Sequence, residues 1–274
     1  YYKTMRTWWA IIILSFVLFS LAPSFYELGQ SEKLTSTRSF ELVHNYYTDY
    51  NFYLSRIRQG YDGKWLLHEI YTNEPHKGTI IHELYLLLGR AARFIPDASF
   101  AIPAGYHVAR AVLGVLLLTL IAWAGAQLFP SRFWQMIAFL TVITSAGWLL
   151  ISHVPDGWRL NNFMPWWTVL EPLQRITFIP HILAAQAGLL FLVMSGCHPD
   201  IKNWIPLGII AMLTGLAMPQ ALMMVYGIYI LLSVIDNRKS TRWPRVLIMV
   251  MSVWTILYFF PLLSQYPWKR LIDF

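Results

Sequence analysis

Between Asp49 and Glu83 the chain gathers its densest set of side chains suited to polar chemistry, among them Asp49, Arg56, Arg58, Asp62, Lys64, Trp65, His68, Glu69, Glu74, His76, Lys77, His82 and Glu83. An acidic residue at the start of a surface helix, backed by aromatics, can serve as a general base, because water is partly excluded there and the carboxyl can be tuned. Asp49, just ahead of an aromatic stripe, fits that description. A helix start also favours a carboxylate through the macrodipole alone, and both readings of Asp49 stay open on composition. The competing use of His68, Glu74, His76, His82 and Glu83 is metal binding. No His-Glu-x-x-His spacing and no Cys/His pair at ligand distance supports it. The loop also lacks an Asp-x-Asp pair, and no Gly-x-Ser-x-Gly elbow points to a serine hydrolase. The expectation is a site with no metal and no cofactor.

Cations are the second ingredient. Arg56, Arg58, Lys64, Lys77, Arg159 and Arg175 can bind a lipid phosphate or pyrophosphate through charge-assisted hydrogen bonds, or simply snorkel to the membrane surface. Trp166 and Trp167 can stack on a sugar ring or belong to an interfacial aromatic belt. His181 follows Pro180 at the head of an apolar run, as a polar group facing an outer cavity or as a helix-packing histidine. Asp156 and Glu171 are carboxylates of a second loop that could face Asp49 or stand in water.

The elements that must position these groups follow from periodicity. Tyr50, Tyr53, Leu54 and Ile57 repeat at i, i+3, i+4, i+7, as do Ile81, Leu84, Tyr85 and Leu88, which predicts two amphipathic helices. They are expected to lie on the membrane surface, the second ending at Gly89. Gly60-Tyr-Asp-Gly63 and Asn73-Glu-Pro-His76 between them read as turns.

Around this loop the chain is apolar. It is 57% hydrophobic and 13% charged, against about 45–50% and 25% for an average soluble domain, and only a bilayer removes the need to hide so much apolar surface. The fold class expected is all-α: a polytopic transmembrane bundle of about seven spans, a single domain over residues 1–274. Spans are expected near Thr7–Leu21, Tyr106–Leu128, Phe133–Ile151, Phe178–Met194, a pair within Ile205–Ile235, and Val246–Leu263. As one helix Ile205–Ile235 would be ~46 Å long, against a hydrocarbon core of ~30 Å; a hairpin bent near Met218-Pro219-Gln220 fits better. It also keeps Arg238, Lys239, Arg242 and Arg245 cytoplasmic. Lys3 and Arg6 place the N-terminus in the cytoplasm and the first loop, residues 24–104, outside. The net charge of +7 falls mainly in loops, so lipid headgroups and anionic substrates, not nucleic acid, are the expected partners. One cysteine, Cys197, excludes an intrachain disulfide framework. The chain begins at Tyr1 and stops at Phe274 just after an apolar run, so a further C-terminal part is expected.

The order of short motifs carries a resemblance. Asp49-Tyr-Asn-Phe-Tyr-Leu-Ser-Arg-Ile-Arg-Gln-Gly60, then Gly63-Lys-Trp65-Leu, then Tyr71-Thr-Asn-Glu74-Pro75 and Tyr85, resembles the first outer loop of GT-C membrane glycosyltransferases. The protein O-mannosyltransferase and aminoarabinose transferase branch is the most similar. Phe100 to Leu118, with Arg110, resembles the opening of that family's second span. The likeness covers roughly the first 120 residues and the rest only as a pattern of spans. It implies an inverting transferase in a bacterial or archaeal plasma membrane, with its active loop outside. The donor would be a polyprenyl-phosphate-linked sugar and the acceptor a lipid, glycan or protein. Asp49 would be the base and Glu74 a secondary carboxylate. Lys77, Arg58 and Arg175 would contact phosphate, with His76, Asp156 and His181 lining the substrate site. Two departures stand out: Tyr50 follows Asp49 where many relatives carry a second acid, and Glu74-Pro-His-Lys77 replaces Glu-Lys-Pro-Pro.

Overall fold

The computed structural model describes residues 7–33, 37, 39–44, 47–145, 149–155, 157–162, 172–198, 203–236 and 238–271. The described residues are predominantly helical: α1 Thr7–Gln30, α2 Tyr47–Tyr61, α3 Glu83–Ala92, α4 Ala98–Leu128, α5 Arg132–Thr144, α6 Pro180–Gly196, α7 Trp204–Ala217, α8 Pro219–Ile235 and α9 Lys239–Leu262. Three of them, α1, α4 and α9, are long and apolar enough to cross a membrane.

Several sequence expectations change. The first span does not stop before Pro23 but continues to Gln30, as α4 continues through Pro103 and α9 through Pro244 and Pro261. An apolar helix tolerates the missing N–H where neighbouring groups, not water, meet the freed carbonyl. The third span was expected to reach Ile151. Instead α5 ends at Thr144, and Leu149–Val154 pairs antiparallel with Gly157–Asn162 as a two-stranded hairpin. Gly157 sits at φ 118°, a conformation that strains any residue with a Cβ. Helices α5 to α8 have 13, 17, 14 and 17 residues, roughly 20–26 Å at 1.5 Å per residue. Seven apolar helices therefore stand near the seven expected places, but only three have full spanning length. The break expected near Met218 is present: that residue is extended, φ −160° and ψ 99°, between α7 and α8.

The chain divides into two compact units, residues 1–40 with 114–178, and residues 41–113 with 179–274. In the first, Trp9, Ile13 and Val17 of α1 pack with Leu118 and Ala122 of α4, Phe139 and Ile143 of α5, and Ile176. In the second, Leu192, Leu207, Ala211, Leu222, Val225, Tyr229 and Ile248 join α6 to α9. Gly188 lies against Thr214 there, a small-residue contact typical of close membrane-helix packing.

The second unit also holds α2 and α3, whose apolar stripes pack against each other and against α4. Tyr50 and Ile57 of α2 are fully buried with Tyr85, Ile102 and Tyr106. Gly89 does not end α3. A Cβ at Gly89 would strike the Ile57 carbonyl, and one at Gly60 the Leu86 carbonyl, so both glycines let the two helices meet backbone to backbone.

Candidate functional site

Helix periodicity puts Asp49, Tyr53 and Arg56 on one face of α2, at i, i+4 and i+7. Asp49 is in the first turn and exposed; partial burial still raises its carboxyl above the ordinary value. Tyr53 stacks on Tyr85 at 4.8 Å and 16°. Its hydroxyl is pushed up, first by burial and then by the nearby negative charge of Asp49. Arg56 is 1% exposed. Its Nη2 donates to Glu69 Oε2 at 3.2 Å, its Nη1 to the Phe52 carbonyl at 3.1 Å, and its guanidinium lies 3.1 Å over the Phe52 ring. Burial pulls the group down to about 10 against the opposing pull of Glu69. The cation therefore stays charged near neutrality at a net cost in desolvation. Its Nε has no hydrogen-bond partner among the described residues.

Two imidazoles border this face. His82, the residue before α3, adopts a left-handed φ of 55°, and its buried Nδ1 has no hydrogen-bond partner among the described residues. Burial, then the charge of Arg56, hold it well below the usual histidine range. His181 is placed among these groups: its ring centroid is 5.2 Å from that of His82, and its Nδ1 is 2.8 Å from the Tyr85 hydroxyl. Nearby, Tyr50 bonds His107 at 3.2 Å and His44 bonds Tyr106 at 3.2 Å.

The other sequence candidates fall elsewhere. Arg58 points to the opposite face of α2, onto a groove of about 820 Å³ shared with Asn51, Ser55, Tyr71 and Ser99. Its Nε is bonded to Asp62 at 3.1 Å, an exposed i, i+4 pair worth only ~0.3–0.5 kcal/mol. Glu74, His76 and Lys77 lie in a loop closed at its base by the Leu67–Thr79 bridge. The loop is fixed to α2 by Gln59, whose amide makes bonds of 2.8 and 2.9 Å to the His68 backbone. Lys77 is exposed beside a second groove of about 430 Å³ lined by Tyr258, Tyr266 and Trp268. Glu74 is exposed and its Oε2 accepts from the Thr72 hydroxyl at 3.3 Å. Both ring nitrogens of His76 are engaged by backbone groups. Arg175 is exposed in a 3-10 turn, Pro172–Thr177, of the first unit. Arg159 sits in the second hairpin strand. Asp156, Glu171, Trp166 and Trp167 lie outside the described residues. Among the described residues no group of three or more His, Cys, Asp or Glu could hold a metal ion.

What sequence reasoning underweighted is the Arg56–Tyr53–His82 set. The i, i+4, i+7 spacing from Asp49 was the signal that could have found Tyr53 and Arg56, whereas His82 joins them only through the fold. No family model, curated protein or solved structure matches this chain.

Proposed function

We propose that this chain is an integral membrane glycosyltransferase of GT-C type. It transfers a sugar from a polyprenyl-phosphate donor to a lipid, glycan or protein acceptor on the outer face, with α5 to α8 completing a seven-span bundle. Asp49 takes the proton of the acceptor hydroxyl. The freed oxygen attacks the anomeric carbon, and the bond from that carbon to the phosphate oxygen breaks with its electron pair leaving on phosphate. Arg56 balances the charge that develops there. Seven residues along a helix put the two groups ~10 Å apart along its axis, a separation suited to a sugar ring with its phosphate ester.

The observation that carries this reading is Arg56 itself. A buried arginine that desolvation disfavours, on the same helix face as an exposed carboxylate, contributes little to stability. Groups whose ionisation burial perturbs concentrate at functional sites. Arg58 and Lys77, on two separate grooves, then serve acceptor or headgroup approach and not the donor phosphate.

The test is Asp49→Asn in membranes supplied with labelled polyprenyl-phosphate sugars. General-base help is worth ~10²–10⁴-fold, so transfer should fall by that range while abundance and donor binding hold. An asparagine starts a helix almost as well as an aspartate. Full activity in the variant would remove Asp49 as the base, whereas no transfer by the parent itself would leave a non-catalytic membrane role, as a transport subunit or scaffold, as the better reading.

A further inference from the structure

The Asn73-Glu-Pro-His76 turn is wired, through hydrogen bonds, to Arg56. The Glu69 backbone N–H donates to His76 Nε2 at 2.8 Å. With Nε2 accepting, the ring proton of this neutral imidazole is on Nδ1, which donates to the Glu74 carbonyl at 2.8 Å. The Trp268 ring, 3% exposed, meets the imidazole edge-on at 5.6 Å. Glu69 is thereby held in place, and its carboxylate is shared. Oε1 accepts from the Tyr71 N–H at 3.3 Å, and Oε2 accepts from Arg56 Nη2 at 3.2 Å.

We propose that His76 and Glu69 are positioning residues for Arg56: the imidazole fixes the Glu69 backbone, and the Glu69 carboxylate then aims the guanidinium at its anionic ligand. The inference rests on the reading that Arg56 meets the donor phosphate. It gives the Glu-Pro-His segment a role through the Glu74 backbone carbonyl and not through its carboxylate. A loop needed only to cover α2 is already stitched by Gln59 and the Leu67–Thr79 bridge. The His76–Glu69–Arg56 chain adds orientation of one cation.

The experiment measures binding of undecaprenyl phosphate to the purified full chain in detergent micelles. Arg56→Ala should weaken binding about ten- to a hundredfold, the range for a charge-assisted hydrogen bond. His76→Asn places its amide near Nδ1 and cannot reach the Glu69 N–H. It should weaken binding about tenfold, as expected within one hydrogen-bond network. His76→Gln puts an oxygen where Nε2 stood and should restore binding to within about twofold of the parent, the network being intact. The double variant Arg56→Ala, His76→Asn should bind no worse than Arg56→Ala alone, because His76 acts only through Arg56. Should His76→Asn fail to accumulate, Glu69→Asp, one carbon shorter with its charge kept, carries the same expectation. Unchanged binding in Arg56→Ala would overturn both the donor reading and the strut. Weakened binding in Arg56→Ala, with His76→Asn either silent or fully additive to it, would overturn the strut alone.

Discussion

Glu69→Ala should destabilise this protein far more than Arg56→Met, although the two substitutions break the same ion pair. Arg56 is 1% exposed and Glu69 12%. Removing Glu69 strands a buried cation with one backbone carbonyl, at 3.1 Å, and the face of Phe52. Breaking a buried pair by deleting one partner costs ~3–5 kcal/mol. Removing Arg56 leaves the less buried partner, a carboxylate 12% exposed that still accepts from the Tyr71 N–H, and methionine refills the apolar part of the site, so the cost should be smaller, ~1–2 kcal/mol. At ~2–4 °C per kcal/mol for a unit of this size, Glu69→Ala should melt roughly 6–20 °C below the parent in detergent. Arg56→Met should melt only ~2–8 °C below it. The double variant should recover most of the loss suffered by Glu69→Ala, because the uncompensated charge is gone. Equal losses in the two single variants, or no rescue in the double, would refute the account of Arg56 as a cation held against its desolvation. If the account stands, Arg56→Met is the informative functional variant: folded, yet deprived of its anion contact.

Three further outcomes are expected. His82 is held neutral in the fold by burial and by Arg56, while the unfolded chain takes up a proton near pH 6.5. Because the unfolded state then binds more protons, stability should fall as pH drops below ~6.5, by up to ~1.4 kcal/mol per unit; melting curves of His82→Gln should show a shallower slope. Gly89→Ala should cost ~1–3 kcal/mol or more, since its Cβ meets the Ile57 backbone and not a movable side chain. Gly227→Ala, which meets nothing within 4 Å, should be neutral or stabilise by up to ~1 kcal/mol; equal effects would discount the α2–α3 contact. In a Cys197→Ala background, which removes the exposed native thiol, a cysteine at Gln220 should react with an impermeant thiol reagent from outside and one at Lys239 should not. The reverse pattern would rule out the seven-span orientation.

Composition alone determined that this chain is helical and apolar. A sequence that is 57% hydrophobic leaves its backbone few ways to satisfy itself in lipid other than helices. The break at Met218 was equally legible, because one unbroken helix there would exceed the bilayer. Helices α2 and α3 were found from their stripes, which are local patterns. What those stripes pack against is not local. Tyr50 and Ile57 meet α3 and α4, and Gly89, which reads as a terminus, is a contact, because only the fold decides which backbone lies opposite a missing Cβ. The end of α5 was missed because Leu149–Ile151 is apolar enough for a span, and its pairing with Leu160–Asn162 is a choice between two structures of similar local propensity. The candidate site divides in the same way. Asp49 was visible as an acid at a helix start, and Arg56 as one cation among six. Charge and spacing in a sequence do not report desolvation. Only burial separated Arg56, paired to Glu69 and bordered by His82, from the solvated Arg58 two residues away.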